Sequence, residues 1–75
     1  MTGTAMAMLL VDSASLAAVG YDHGESTLLL GFHNGSTYQY FDVPPAIWAQ
    51  LLAADSKGGY FHREIRGRFR CVRAS

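Results

Sequence analysis

Every lysine and arginine of this sequence lies in its last nineteen residues. They are Lys57, Arg63, Arg66, Arg68, Arg70 and Arg73. Arginine presents a planar fork of N–H donors that matches carboxylates and phosphates, so five arginines against one lysine favour anion recognition over simple solubility. Alternatively, the arginines form a solvated strand edge and pair with the acidic half of the same domain.

The acidic side chains are segregated from the basic ones. Residues 1–56 hold five carboxylates and no lysine or arginine, whereas residues 57–75 hold six basic side chains against Glu64. The net charge of zero therefore conceals a bipolar molecule. We expect its basic end to meet an anionic partner, either a nucleic acid, with RNA favoured over DNA, or an acidic protein surface.

The segment that opens the basic region could add to such a site. Backbone N–H groups at Ser56-Lys57-Gly58-Gly59 could seat a phosphate or carboxylate, although an ordinary capped helix start explains the same residues. Tyr60 and His62 follow directly and could stack on a nucleobase.

Tyr38 and Tyr40 are a second candidate stacking pair, and the turn before them decides their role. Asn34-Gly35 predicts a hairpin. A two-residue type I′ turn would place an amide, Gln39, on the leucine face. A type I turn with a left-handed bulge at Gly35 instead places both tyrosines opposite leucines, which favours core packing over base stacking.

In that bulged register, the other face of the hairpin carries Leu29, Thr37 and Gln39, a possible surface for a protein partner.

Catalytic and metal sites are not expected. His23, His33 and His62 show no ligand spacing, and no nucleophile or carboxylate is identifiable as a partner for His62, so we predict neither an enzyme nor a cofactor. The single cysteine, Cys71, cannot form an internal disulfide, which fits a reducing cytoplasm. No stretch approaches the roughly 20 apolar residues that span a membrane.

The elements that must position these residues follow from periodicity and turn signals. We predict three strands, over 16–21, 27–32 and 37–41. A helix begins at Pro44-Pro45 and buries a stripe that includes Trp48. Ser56 then caps a shorter helix with Tyr60, Phe61 and Ile65 on its buried side, and Gly67 ends it.

Residues 68–73 alternate in polarity and predict a short edge strand. Arg68 and Arg70 would point outward from it, and Phe69 and Cys71 would point inward, with Cys71 a small buried hydrophobe. The fold class is therefore α+β: a small antiparallel three-stranded meander, a helix, a second short helix and a short C-terminal edge strand. Residues 1–8 are predicted to be a flexible N-terminus, and residues 9–75 form a single domain.

These segments, in this order, resemble the KTSC-domain family over about residues 11–73. The matching residues are Ser13 with Leu16, Val19-Gly20-Tyr21-Asp22, Asn34-Gly35, Tyr38-Gln39-Tyr40-Phe41, Val43-Pro44, Ser56-Lys57-Gly58, Tyr60-Phe61 and Ile65-Arg66. The sequence departs from the family pattern at Leu29 and Gly31, where the family tends to be charged, and at Arg68-Phe69-Arg70, where an aromatic and proline pattern is usual.

The resemblance implies a small bacterial domain of uncharacterised function, proposed to bind RNA, which also occurs at the C-terminus of some lysyl-tRNA synthetases. We therefore expect a stand-alone binding module that contacts RNA or another nucleic acid through its arginine-rich end. The alternative is an adaptor or inhibitor of a larger protein complex, of the mobile-element or phage type, with no nucleic-acid contact. The sequence leaves the oligomeric state open.

Overall fold

A computed structural model describes residues 8–74, which form one antiparallel sheet and two helical segments packed on one of its faces. The strands are β1 (Leu9–Leu10), β2 (Leu16–Asp22), β3 (Thr27–Phe32), β4 (Thr37–Tyr40) and β5 (Cys71–Arg73), and they lie in the sheet in chain order. The helical segments are α1 (Pro45–Ala53) and α2 (Lys57–Tyr60), which continues into a π-helical turn over Phe61–Ile65.

The predicted α+β class is confirmed, but the sheet has five strands where four were expected. β1 was missed because two residues are too short to show the alternation by which a strand is recognised. Its pairing of Leu9 with Val19 and of Leu10 with Ala18 adds an edge before β2. Apart from Met8, the flexible segment predicted for residues 1–8 lies outside the described residues.

The hairpin between β3 and β4 has the predicted bulged register. Leu28 pairs with Tyr40 and Leu30 with Tyr38. The N–H of Phe32 donates to the carbonyl of Ser36 at 2.8 Å, and Gly35 adopts the left-handed φ of +92° that this turn requires. One residue of slip would have turned the leucines and tyrosines to opposite faces, so this turn determines which side chains form the core.

The helical segments cover the inner face of the sheet, where β2, β3 and β4 point their large apolar side chains. Phe61 lies edge-on to Phe32 and Tyr40, with ring centroids 5.5 Å and 6.0 Å apart. From α1, Trp48 stacks on Tyr21 at 5.7 Å, as expected for a residue of the buried stripe. The fully buried side chains are Leu16, Val19, Leu28, Leu30, Val43, Leu51 and Ile65.

The second helical segment begins and ends as predicted, but its second half is not α-helical. Ser56 caps it by accepting the N–H of Gly59 at 3.0 Å, and Gly67 at φ +78° follows its end. Between them, the N–H of Arg66 donates five residues back to the carbonyl of Phe61 at 2.9 Å, a π-type turn.

The C-terminal edge strand is shorter than predicted, which corrects the placement of two arginines. Only Cys71–Arg73 is strand, so Arg68 and Arg70 precede it and do not share a strand face. Cys71 lies opposite Tyr40. It is nevertheless exposed, because β5 is the outermost strand, so the prediction that it is a buried hydrophobe is wrong.

Candidate nucleic-acid interface

Three exposed basic side chains lie on the π turn or directly after it, on the helical side of the molecule. His62, Arg63 and Arg66 are all exposed, and together they are called the basic helical surface below. Nη1 of Arg66 lies 3.4 Å from Nδ1 of His62, one turn away.

Arg63 lies back over the turn that opens the segment. A Cβ added at Gly59 would lie 3.3 Å from Nη1 of Arg63, so the missing side chain at Gly59 lets the guanidinium approach the backbone. The guanidinium borders a shallow hollow of about 490 Å³, whose lining residues are Gln50, Ala53, Ala54, Asp55, Ser56, Tyr60 and Arg63.

Two further basic residues of this side are already engaged. Nη1 of Arg68 lies 4.0 Å from Oε1 of Glu64, an exposed pair of the kind that contributes little to stability. Nζ of Lys57 donates to the carbonyl of Ala54 at 3.2 Å. Both side chains remain able to contact an anion, but each already has an interaction partner within the protein.

Arg70 lies apart from the basic helical surface. Its guanidinium carbon is 5.2 Å from the centre of the Phe41 ring, on the outer face of the sheet. Arg73 lies on β5 opposite Tyr38. The predicted single basic end is therefore two separate groups of charges. Between Arg66 and Arg70 the chain crosses from the helical side to the outer face of the sheet.

The aromatic residues predicted as stacking platforms lie mostly in the core. Tyr60 is 6% exposed, and its hydroxyl donates to Oε1 of Gln50 at 2.8 Å, so its ring is not available to a base. Tyr40 is 5% exposed. Tyr38 is half-buried, edge-on to Phe32 at 5.9 Å. Tyr38 and Tyr40 therefore pack in the core, as the sequence analysis favoured. Of the predicted stacking residues, only His62 has an exposed ring within residues 8–74.

The helix start predicted as an anion seat is an ordinary cap. The N–H of Gly59 is donated to Oγ of Ser56. Gly58 is buried, and a Cβ there would lie 3.2 Å from Oγ of Ser15. These glycines therefore serve close packing, and a phosphate seat at this position is not supported.

Burial and neighbouring groups alter the acidity of two tyrosines beside the interface. The pKa of Tyr40 is raised from 10.0 to about 12, mainly by burial, with the nearby Cys71 and Tyr38 acting in the same direction and Arg66 against them. Burial also raises the pKa of Tyr60, with Glu64 acting in the same direction and Arg63 against it.

A concavity on the outer face of the sheet was not predicted. It measures about 550 Å³, and its lining residues are Asp22, Glu25, Thr27, Leu29, Gln39, Phe41, Asp42 and Arg70. Leu29 and Gln39 had been assigned to this face from the hairpin register. The carboxylates gave no such signal, because they lie in the turn after β2 and just beyond β4, where alternation ends.

The described part of the chain contains no cluster of three histidine, cysteine, aspartate or glutamate side chains placed to hold a metal ion. Among the same residues, no helix is long and apolar enough to cross a membrane.

Known proteins match this chain over most of its length. The KTSC domain model matches residues 12–69. A protein of Tsukamurella paurometabola is 44% identical over 62 residues, which are 83% of this chain and 92% of that protein. The crystal structure of a KTSC domain protein from Yersinia pestis superposes with a TM-score of 0.89 at 35% identity, covering 95% of this chain and 100% of the other.

A lysine–tRNA ligase of Nostoc punctiforme is also similar, 36% identical over 81 aligned positions that include 87% of this chain. The chain corresponds to 14% of the length of that ligase.

Proposed function

The chain belongs to the KTSC-domain family, and from that premise we propose that it is a non-catalytic cytoplasmic module that binds RNA through its basic helical surface. The observation that carries the proposal is the state of Arg63 and Arg66. Both guanidinium groups are exposed, and neither forms an ion pair with a carboxylate within residues 8–74.

Free guanidinium groups suit a polyanion. Neutralising a phosphate releases condensed counterions, a gain that a guanidinium already paired with a carboxylate realises less fully. Beside Arg66, the exposed ring of His62 supplies a planar surface of the kind on which unpaired bases stack. The occurrence of a similar segment in a lysine–tRNA ligase supports RNA over DNA as the polyanion.

The test is fluorescence anisotropy with a labelled single-stranded RNA of mixed sequence, titrated at several salt concentrations. Binding should weaken as salt rises, with the logarithm of affinity falling by about 0.7 per phosphate contact for each logarithmic unit of salt. The double variant R63Q/R66Q should bind more weakly and reduce this slope by roughly 1.4. A DNA of the same sequence shows whether the ribose matters.

Arg70 provides the matched control. R70Q removes the same kind of charge from the same stretch of chain, but on the outer face of the sheet. It should leave the salt slope unchanged. Absence of binding at low ionic strength, or equal losses in R70Q and in the single variants R63Q and R66Q, would contradict the proposed interface.

A further inference from the structure

The outer face of the sheet is left uncovered in residues 8–74, because both helical segments pack on the inner face. Two exposed apolar side chains lie at its margins, Leu10 at 88% and Val72 at 48% exposure. The methyl group of Met8 lies over its middle, 3.9 Å from where a Cβ at Gly31 would stand. Leu10 pairs with Ala18 on β2, and Val72 pairs with Gln39 on β4. Side chains directly opposite across strands share a face, so these apolar groups border one surface.

The central strands place small side chains in the middle of this face. Ala18 pairs with Gly31, and Gly20 pairs with Leu29, so the central strands present small residues beside one leucine. A Cβ added at Gly31 would approach the carbonyl oxygen of Ala18 at 3.7 Å. Small side chains let the backbone of a partner come close, and an apolar sheet face of this kind is normally buried against another element.

One end of the face is acidic. Asp22, Glu25 and Asp42 line the concavity there, and the single cation in its lining is Arg70, which is held over Phe41. The concavity therefore carries an excess of negative charge beside a surface of half-buried aliphatic and aromatic groups. A partner that covers the whole face must offer apolar groups to Leu10, Leu29 and Val72 and be cationic at this end. Between these apolar groups it also meets the polar side chains of Thr37 and Gln39.

We propose that the outer face docks a basic amphipathic segment of a protein partner. The apolar side chains of that segment cover Leu10, Leu29 and Val72, and its lysines or arginines reach the carboxylates of Asp22 and Asp42. RNA is disfavoured here because its phosphates would meet those carboxylates. A second copy of the chain is disfavoured because, within the described outer face, it offers only Arg70 as a complementary cation.

The probe is a labelled synthetic peptide of leucine and lysine, about 18 residues long, whose helical form spans roughly 27 Å. Its binding to the whole chain is measured by anisotropy at about 0.1 M salt, next to a counterpart with glutamate in place of lysine. We expect the lysine peptide to bind and the glutamate peptide not to bind. Equal binding of the two would overturn the proposal, because charge complementarity would then play no part.

The acidic end is tested with D22N/D42N, which should weaken lysine-peptide binding about tenfold. Asparagine preserves the Oδ1 acceptor that Asp22 offers to the N–H of Gly24 and tolerates the φ of +57° at position 42. The control D12N/D55N removes the same charge elsewhere. If it weakens binding equally, the peptide responds to net charge and the docking site is refuted.

The apolar part is tested with V72S, which should weaken binding severalfold, against V72I, which should retain it. Sedimentation velocity and the RNA titration are run on the same proteins. Concentration-dependent dimers that V72S dissolves would assign the face to a second copy, and loss of RNA binding in D22N/D42N would assign it to RNA. Either result would overturn the proposal, whereas unchanged monomers with unchanged RNA affinity would support it.

Discussion

Burial in the core raises the pKa of Tyr40. Its pKa is raised to about 12 because a phenolate would be desolvated beneath Phe61. The folded protein therefore keeps this proton at pH values where the unfolded chain has lost it. Stability from this residue is complete below about pH 10 and is lost as pH rises towards 12.

The first prediction follows from that linkage. In wild type, the free energy of unfolding should fall by roughly 2–3 kcal/mol between pH 10 and pH 12 on account of Tyr40. Y40F should flatten the curve, with a smaller decline remaining because the pKa of Tyr60 is also raised. Urea denaturation of wild type and Y40F at several pH values measures this. An unchanged slope in Y40F would contradict the assignment.

Tyr60 connects the two helical segments through a single hydrogen bond, from its hydroxyl to Oε1 of Gln50 at 2.8 Å. Y60F should destabilise the domain by about 1 kcal/mol, because the ring still packs while the partly buried hydrogen bond is lost. Chemical denaturation of Y60F, Q50A and the double variant gives the coupling energy. Additive losses would show that the bond contributes nothing measurable.

At the level of elements, Gly35 sets the register of the β3–β4 hairpin. Its φ is +92°, and a Cβ there would meet no atom within 4 Å, so any cost of substitution is conformational and not steric. G35A should therefore cost about 1 kcal/mol of unfolding free energy, whereas G35N should cost less because asparagine tolerates left-handed backbone. Thermal melts compare the two, and equal losses would be inconsistent with this explanation.

Elements with a local chemical signal were predictable from the sequence. Asn34-Gly35 and the leucine–tyrosine pattern together specified the hairpin, and Ser56 with Gly67 specified the limits of the second helical segment. β1 and the π turn had no such signal: β1 is two residues that depend on pairing with β2, and nothing between Tyr60 and Arg66 marks a wider turn. Both arise from tertiary contacts, which periodicity does not report.

The candidate interface was predictable in residue type and not in arrangement. Segregated charge identified the arginines, and the exposed positions of Arg63 and Arg66 agree with that prediction. The separation of Arg70 from them depends on where the chain turns around the sheet edge, which needs the strand order. Tyr60 had been predicted both on the buried side of the second helix and as a stacking residue, and its 6% exposure agrees with the first prediction and not with the second.

At the scale of the whole molecule, the main groups of basic and acidic side chains lie on opposite sides of one sheet. The basic helical surface lies over the inner face, and three of the carboxylates gather at one end of the outer face. Under both proposals, an anionic and a cationic ligand would bind at the same time without competing for space. The central strands lie between the basic helical surface and the acidic end of the outer face. Both proposals therefore depend on these strands staying folded.

The last prediction concerns the stability of those strands. Leu28 and Leu30 lie in β3, the middle strand of the sheet, and both side chains are fully buried, so their amides should exchange with solvent only on global unfolding. Leu10 and Val72 lie in short, exposed edge strands, and their amides should exchange through local fraying, with protection lower by several kcal/mol. Native-state hydrogen exchange by NMR distinguishes the two groups. Equal protection of edge and central amides in the isolated monomer would contradict this prediction. The edge strands would then belong to the cooperative core, and a partner docking on the outer face would meet a rigid surface from Leu10 to Val72.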